Sequence, residues 1–232
     1  MIETSRWNVP APWTALRLCV AIVIIASVGA AGAADLRVAV TDSRGQPAQQ
    51  VVVVARPVAG TTTPNAAKSA TVTQQFQTFT PGVMPISVGT TVEFPNLDRM
   101  RHHVYSFSPA KTFEIHLYSG EDIPKVTFDV PGVITLGCNI HDWMTGYLYV
   151  TDAPYFAATD AAGVATLRNV PPGDYHLAVW HSKLDKEADE GTARVGTAPT
   201  SVDLKVAAVI EPIMQHRPDD DPLLVRLRNS KQ

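Results

Sequence analysis

The sequence predicts an all-β protein, and three observations carry that prediction. From Asp35 onward, short apolar segments alternate with period two; Leu36, Val38 and Val40 share a face while polar or small residues take the other. Turns such as Asp42-Ser43-Arg44-Gly45, Pro131-Gly132 and Pro171-Pro172-Gly173 interrupt these segments at short intervals. No stretch holds a helical apolar period, and no repeat of solenoid length stands out.

Taken in order, the first segment stands apart. After Arg6 and Arg17 comes the apolar run Leu18–Val28, then GAAGAA. This is the charged, apolar and small-residue order of a secretory signal peptide over residues 1–34, with Ala31-Gly32-Ala33 as a cleavage site. The run is short of the roughly 20 residues a membrane span needs. A periplasmic protein is therefore expected, with membrane attachment only where the leader stays uncleaved.

Residues 35–70 open a β-sandwich: Leu36–Val40, a turn, Val51–Val54, then a polar, Pro-interrupted linker over Pro57–Ala70. Residues 71–152 have a different character. Pro85–Val88 and Thr91–Phe94 read as strands hinged at Gly89, followed by His102-His103 and then Thr112–Tyr118. In that last strand Phe113, Ile115 and Leu117 are expected on one face, with Glu114, His116 and Tyr118 on the other. Val126–Val130 and Val133–Gly137 follow, the second running straight into Cys138, and Gly146–Val150 leaves the Cys138 loop. Residues 153–210 return to the first character, with an Asp160–Gly163 turn and a strand presenting Tyr175, Leu177 and Val179. A polar stretch, Ser182–Ser201, precedes a last strand at Val202–Val209, and residues 211–232 read as a loose tail.

Charge and cysteine use narrow the function. Without Glu3, Arg6 and Arg17 of the leader, 19 basic residues become 17 and 22 acidic ones 21, a net charge of −4. That balance speaks against nucleic acid as a partner, which normally meets a basic stripe. Beyond the leader, Cys138 is the one remaining cysteine, in a compartment where thiols tend to pair. Such a thiol is buried and inert, reactive, or held by a metal.

The stretch TLGCNIHDWMTGYLYV favours the metal. Cys138, His141 and Met144 stand at spacing C-x2-H-x2-M. A thiolate, an imidazole and a weak thioether suit copper cycling between Cu(I) and Cu(II); a hard cation wants oxygen ligands. A trigonal His₂Cys set with a long axial Met needs a second histidine, and His102 is the candidate, with His103 beside it as the competitor.

At these residues the chain resembles the cupredoxins, the small blue-copper proteins, and most closely those with an amicyanin-type loop. The likeness covers about Phe76 to Val150. It rests on Asn96-Leu97-Asp98 with His102-His103-Val104, and on Pro131-Gly132, Cys138, His141 and Met144-Thr145-Gly146. The resemblance implies a Greek-key β-sandwich holding one type 1 copper through His102, Cys138, His141 and Met144. Cys138 is then the main electronic route, His141 the solvent-facing exit, His102 the buried ligand and Met144 the weak axial one. His103 stands where many of the family have Asn.

The flanks, with their D-x-x-G and V-P-P-G-x-Y patterns, resemble transthyretin-like, carboxypeptidase-regulatory-like β-sandwich modules. Whole proteins of this arrangement are often labelled methylamine-utilisation proteins, but no residue here indicates methylamine chemistry.

The expectation is thus an exported single-electron carrier, not an enzyme, exchanging electrons with a periplasmic redox protein such as a cytochrome c or a dehydrogenase. No Ser-His-Asp or paired-carboxylate arrangement is indicated. Two other readings stand beside it: a protein that stores or delivers copper through the same ligands, and a metal-free structural or ligand-binding β-module. A structural zinc site from Cys138, His141, His102 and His103 is the chemical rival. Met100 is expected to fill core and is weighed as another axial donor; Ile140 and Trp143 read as an apolar docking patch around His141 or as loop packing. His116, His176 and His181 read as solvated.

Overall fold

A computed structural model describes residues 32–60, 68–184, 186–211, 213 and 215. Most of the expected leader, the middle of the linker and most of the tail lie outside these residues. Seventeen strands follow one another: β1 Ala34–Thr41, β2 Val52–Pro57, β3 Ser69–Thr71, β4 Thr73–Gln75, β5 Thr78–Thr80, β6 Val83–Ser87, β7 Thr90–Glu93, β8 His102–Ser108, β9 Lys111–Tyr118, β10 Lys125–Phe128, β11 Gly132–Cys138, β12 His141–Thr151, β13 Tyr155–Ala158, β14 Val164–Val170, β15 Gly173–Trp180, β16 Ala188–Val195 and β17 Thr200–Lys205. There is no helix among the described residues.

Strands from both ends of the chain build one pair of sheets, β14-β1-β17 and β13-β2-β15-β16. Period-two burial along β1 sends Leu36, Val38 and Val40 into a core with Leu167, Val53, Leu177, Val179 and Leu204. Its turns follow the sequence reading. The Asp42 carboxylate accepts the N–H groups of Arg44 and Gln46, and Asp160 does the same for Ala162 and Val164. Gly163, at φ 74°, closes the second turn where a Cβ would sit 2.7 Å from the Val40 carbonyl oxygen. The Tyr175 hydroxyl donates back to the Pro171 carbonyl at 2.9 Å and pins the Pro-Pro-Gly turn.

The central strands form a second pair of sheets, β10-β7-β3 and β6-β12-β11-β8-β9, with the small β4-β5 hairpin at one side. Val92, Phe94, Val104, Phe128, Ile134, Leu136, Leu148 and Val150 fill the core between them. The two pairs are joined face to face. Val52 and Val54 of β2 and Ala178 and Trp180 of β15 pack on Val83 and Tyr149. Val52 and Val54 thus meet this junction while Val53 and Ala55 meet the outer core, which is why the strand is apolar on both faces from Val52 to Ala55.

Some elements differ from expectation. β16 lies inside the stretch expected to be loop; it is held by pairing with β15 although its own sequence alternates poorly. Tyr118 is buried and Leu117 is 47 % exposed, the reverse of simple alternation. A β-bulge causes this: His102 pairs with Tyr118 but Val104 with Ile115, so His103 faces two residues and the side-chain phase flips. The turned-in Tyr118 hydroxyl then donates to the Phe94 carbonyl at 2.6 Å and meets the Gln74 amide.

Candidate metal centre

The expected loop after Cys138 is a tight hairpin. Cys138 ends β11, His141 opens β12, and the two pair across the two-residue Asn139-Ile140 turn. Residues three apart on a regular strand face opposite sides. Here Gly137 pairs with Thr145 while Cys138 pairs with His141, so Asp142–Met144 bulge out of the ladder. The bulge restores the phase, and His141 and Met144 are both turned inward and buried.

His102 arrives from β8 on the same inner face. Its Nδ1 lies 3.8 Å from the Cys138 Sγ, and the His141 Nδ1 lies 3.6 Å from it. The two imidazole rings are 4.9 Å apart. Bonds of about 2.0–2.3 Å to one central ion, at angles near 110–120°, separate S and N by about 3.6–3.8 Å. The three donors are therefore spaced as ligands of a single ion. Met144 lies in the same buried core as Cys138, and both line a cleft of about 340 Å³ with Tyr105, Phe107 and Gly137.

Each donor is oriented by a neighbour. His102 Nε2 donates to the Asp98 carboxylate at 2.8 Å, which leaves Nδ1 as the nitrogen facing the sulfur. Asp98 also accepts the backbone N–H groups of Phe76 and Gln77 at 2.8 and 2.9 Å. Those two residues form the tip of the β4-β5 hairpin at φ 54° and 58°. Asn96 fixes the approach: its amide donates to the carbonyls of Met100 and Tyr118, and its Oδ1 accepts the Asp98 N–H.

Burial alone pushes the Cys138 thiol up; the His102 ring and the N–H groups of His103 and Ile140 outweigh it and hold the thiol below its ordinary range. Burial likewise lowers His102, but the Cys138 and Asp98 bonds and charges win and raise it. The balance favours a thiolate at the sulfur.

The structure brings His102, Cys138 and His141 together and takes His103 away. His103 side chain points to the opposite face of β8, where Nε2 contacts Glu114 at 2.9 Å. It belongs neither to this donor set nor to the four-residue zinc set weighed from sequence, though its backbone N–H reaches the Cys138 sulfur. Met100, expected to fill core, is instead 42 % exposed, on a turn where its carbonyl accepts from the Asn96 amide. His141, expected to face solvent, is only 7 % exposed, with the Trp143 ring 5.1 Å away. His181, expected solvated, is fully buried. Asp98 and the Gly137–Tyr105 pair were missed as site residues. The signal for Asp98 was its place four residues before His102.

No protein-family model matches the chain, and no curated protein matches it. Solved structures do. The copper-containing nitrite reductase (NirK) from Thermus scotoductus is 29 % identical over 41 % of this chain, with a TM-score of 0.35. This chain spans only 25 % of that one. A purple cupredoxin from Nitrosopumilus maritimus is 24 % identical, covering 35 % of this chain and 99 % of its own, with a TM-score of 0.33. An amicyanin variant in its reduced Cu(I) form is 20 % identical over 43 % of this chain and 98 % of its own, with a TM-score of 0.34.

Proposed function

We propose that the chain is an exported copper protein, in which His102, Cys138 and His141 hold one type 1 copper with Met144 as weak axial donor, and that it carries single electrons. The observation that supports this most is the convergence of two Nδ1 atoms on one buried sulfur, at 3.6 and 3.8 Å. Thiolate, two imidazoles and a nearby thioether form the donor set of blue-copper electron-transfer sites. Zinc accepts the same Cys and His donors but has no use for Met144.

The ion supplies the one-electron couple; the protein supplies a fixed cage. Asp98 keeps the proton of His102 on Nε2, and the N–H groups of His103 and Ile140 stabilise charge on the sulfur. The three donors are at most 7 % exposed, so water is largely excluded. A closed set of this kind suits a carrier better than an enzyme, which keeps a coordination position open for substrate.

Phe76, Leu97, Met100 and Ile140 are exposed apolar residues on the turns that adjoin His102 and His141. Such a rim suits transient docking of a periplasmic redox partner, a cytochrome c or a dehydrogenase. The flanking sheets fit a transthyretin-like module, with residues 71–152 as the copper domain between its two halves. A second reading, copper storage or delivery, draws on the open cleft that Cys138 and Met144 line.

Loading purified protein with Cu(II) tests the proposal. An intense thiolate-to-copper visible band is expected, lost in Cys138→Ser and in His102→Ala but kept in His103→Ala. Folded protein that takes up Cu(II) without that band overturns it. Rapid copper loss to a chelator with slow redox cycling favours delivery instead.

A further inference from the structure

The outer face of the five-stranded sheet meets the flanking sandwich over β6, β12 and the start of β11, where Val83, Tyr147, Tyr149 and Val133 pack in one cluster with Trp180. On β8 and β9, at the other edge of the sheet, His103, Glu114 and His116 project from that face. Alternation along β9 puts Glu114 and His116 on one side, and the pairing of β8 with β9 sets His103 opposite residues 116 and 117. The ligand atoms of all three lie within 4.8 Å of one another. Glu114 Oε1 is 2.9 Å from His103 Nε2 and 3.5 Å from His116 Nδ1.

We propose that His103, Glu114 and His116 form a second metal site, separate from the Cys138 centre, that binds a divalent transition ion of the Zn²⁺ or Cu²⁺ class. Two imidazoles and one carboxylate are borderline donors that suit these ions and not Mg²⁺ or Ca²⁺. Tetrahedral ligands at about 2.0–2.1 Å stand about 3.3–3.4 Å apart, a spacing bracketed by the 2.9 and 3.5 Å separations here. His103 is buried and fixed, whereas the Glu114 and His116 side chains are 55 and 86 % exposed and can close on an ion by small rotamer changes.

The solvent side leaves a coordination position for water. His103 Nδ1 has no hydrogen-bond partner. An imidazole that ligates through Nε2 carries its proton on Nδ1, and without an outer acceptor the site binds less tightly than a structural zinc site, on the order of micromolar. His103 reaches both centres with different atoms, its backbone N–H toward Cys138 and its ring toward this second ion.

The test uses Zn²⁺ and the full chain stripped of metal, followed by calorimetric titration. Cys138→Ser removes the first centre and is expected to retain one Zn²⁺ per chain. Adding His116→Ala or Glu114→Gln to Cys138→Ser should weaken that binding by at least about tenfold, the loss that even an outer-shell partner incurs. His116 is a solvent-exposed residue, so its replacement leaves the fold intact, checked by an unchanged thermal transition. A Cys138→Ser protein that takes up no Zn²⁺, or binding indifferent to residues 114 and 116, overturns the second site. Failure of the copper reading shows separately, as absence of the visible band with Zn²⁺ uptake at residues 103, 114 and 116 intact.

Discussion

Replacing Asp98 by Ala removes one carboxylate that serves two structures at once. It accepts from His102 Nε2 inside the metal centre and from the N–H groups of Phe76 and Gln77 at the hairpin tip. Hydrogen bonds to a charged group contribute about 1.5–3 kcal/mol each when shielded. The two hairpin bonds border solvent, since Phe76 is 82 % exposed, so about 1 kcal/mol each is the better figure. With about 1.5–2 kcal/mol for the His102 bond, the loss is about 3.5–4 kcal/mol. At roughly 2–4 °C per kcal/mol for a chain of this size, Tm should fall by about 7–16 °C.

The hairpin and metal contributions can be separated. Phe76 and Gln77 hold left-handed φ angles that cost a side-chain-bearing residue about 1–2 kcal/mol each. Glycine at both positions in the Asp98→Ala background should recover part of the lost Tm. It should not recover metal affinity, because His102 still lacks its acceptor. Cu(II) affinity is expected to drop about 10–100-fold in either Asp98→Ala protein. Thermal denaturation and competition titration read the two quantities. A lower Tm with Cu(II) affinity within twofold of wild type would show that Asp98 only staples the hairpin, and the orientation argument would be wrong.

Three further outcomes follow from other parts of the structure. In Gly137→Ala the new Cβ would come within 2.6 Å of Tyr105 Cζ, so the ring must leave at a cost of about 1–3 kcal/mol; combined with Tyr105→Ala the two losses should fall short of additivity by about 1 kcal/mol or more, and strict additivity in denaturant titrations contradicts the contact. His181 is buried, and burial followed by the Lys183 charge pushes its pKa down to about 4. The unfolded chain takes that proton near pH 6.5 and the native one only near pH 4, so stability falls as pH drops through this window, by about 3 kcal/mol for a shift of about 2.5 units. His181→Asn keeps an acceptor for the Lys183 N–H and should flatten the stability profile there; an unchanged slope counts against it. Trp180→Ala empties the junction where Tyr147 and Tyr149 meet the flanking sheet, at a cost of about 3–5 kcal/mol. Calorimetry should then resolve two transitions, whereas a single cooperative one at lower Tm argues that the two sandwiches do not fold as separate units.

What could be read from the chain depended on whether meaning lay in residue type or in strand pairing. Cys138, His141 and Met144 announce a soft-metal site because those types seldom cluster in so short a stretch. The Asp-x-x-Gly turns were legible because carboxylate-to-amide bonds and a left-handed glycine are local. β16 was missed because ADEGTARV lacks an apolar alternation, and its place comes from pairing with β15.

The histidine pair is the sharper case. Two adjacent strand residues must face opposite sides, so the sequence alone required that at most one of His102 and His103 join Cys138. Burial along β8 decides it: Val104 and Ser106 turn inward with His102, while Tyr105 and Phe107 turn outward with His103. The outer His103–Glu114–His116 group needs cross-strand register as well: alternation puts Glu114 and His116 on one face of β9, and pairing with β8 brings His103 beside them. The extra residue in β9 reverses the phase after His116 and so turns Tyr118 inward, opposite His102. Deleting Leu117 should remove the bulge while leaving His102 opposite Tyr118 and Tyr118 turned inward, so the visible copper band should persist; its loss would contradict this register.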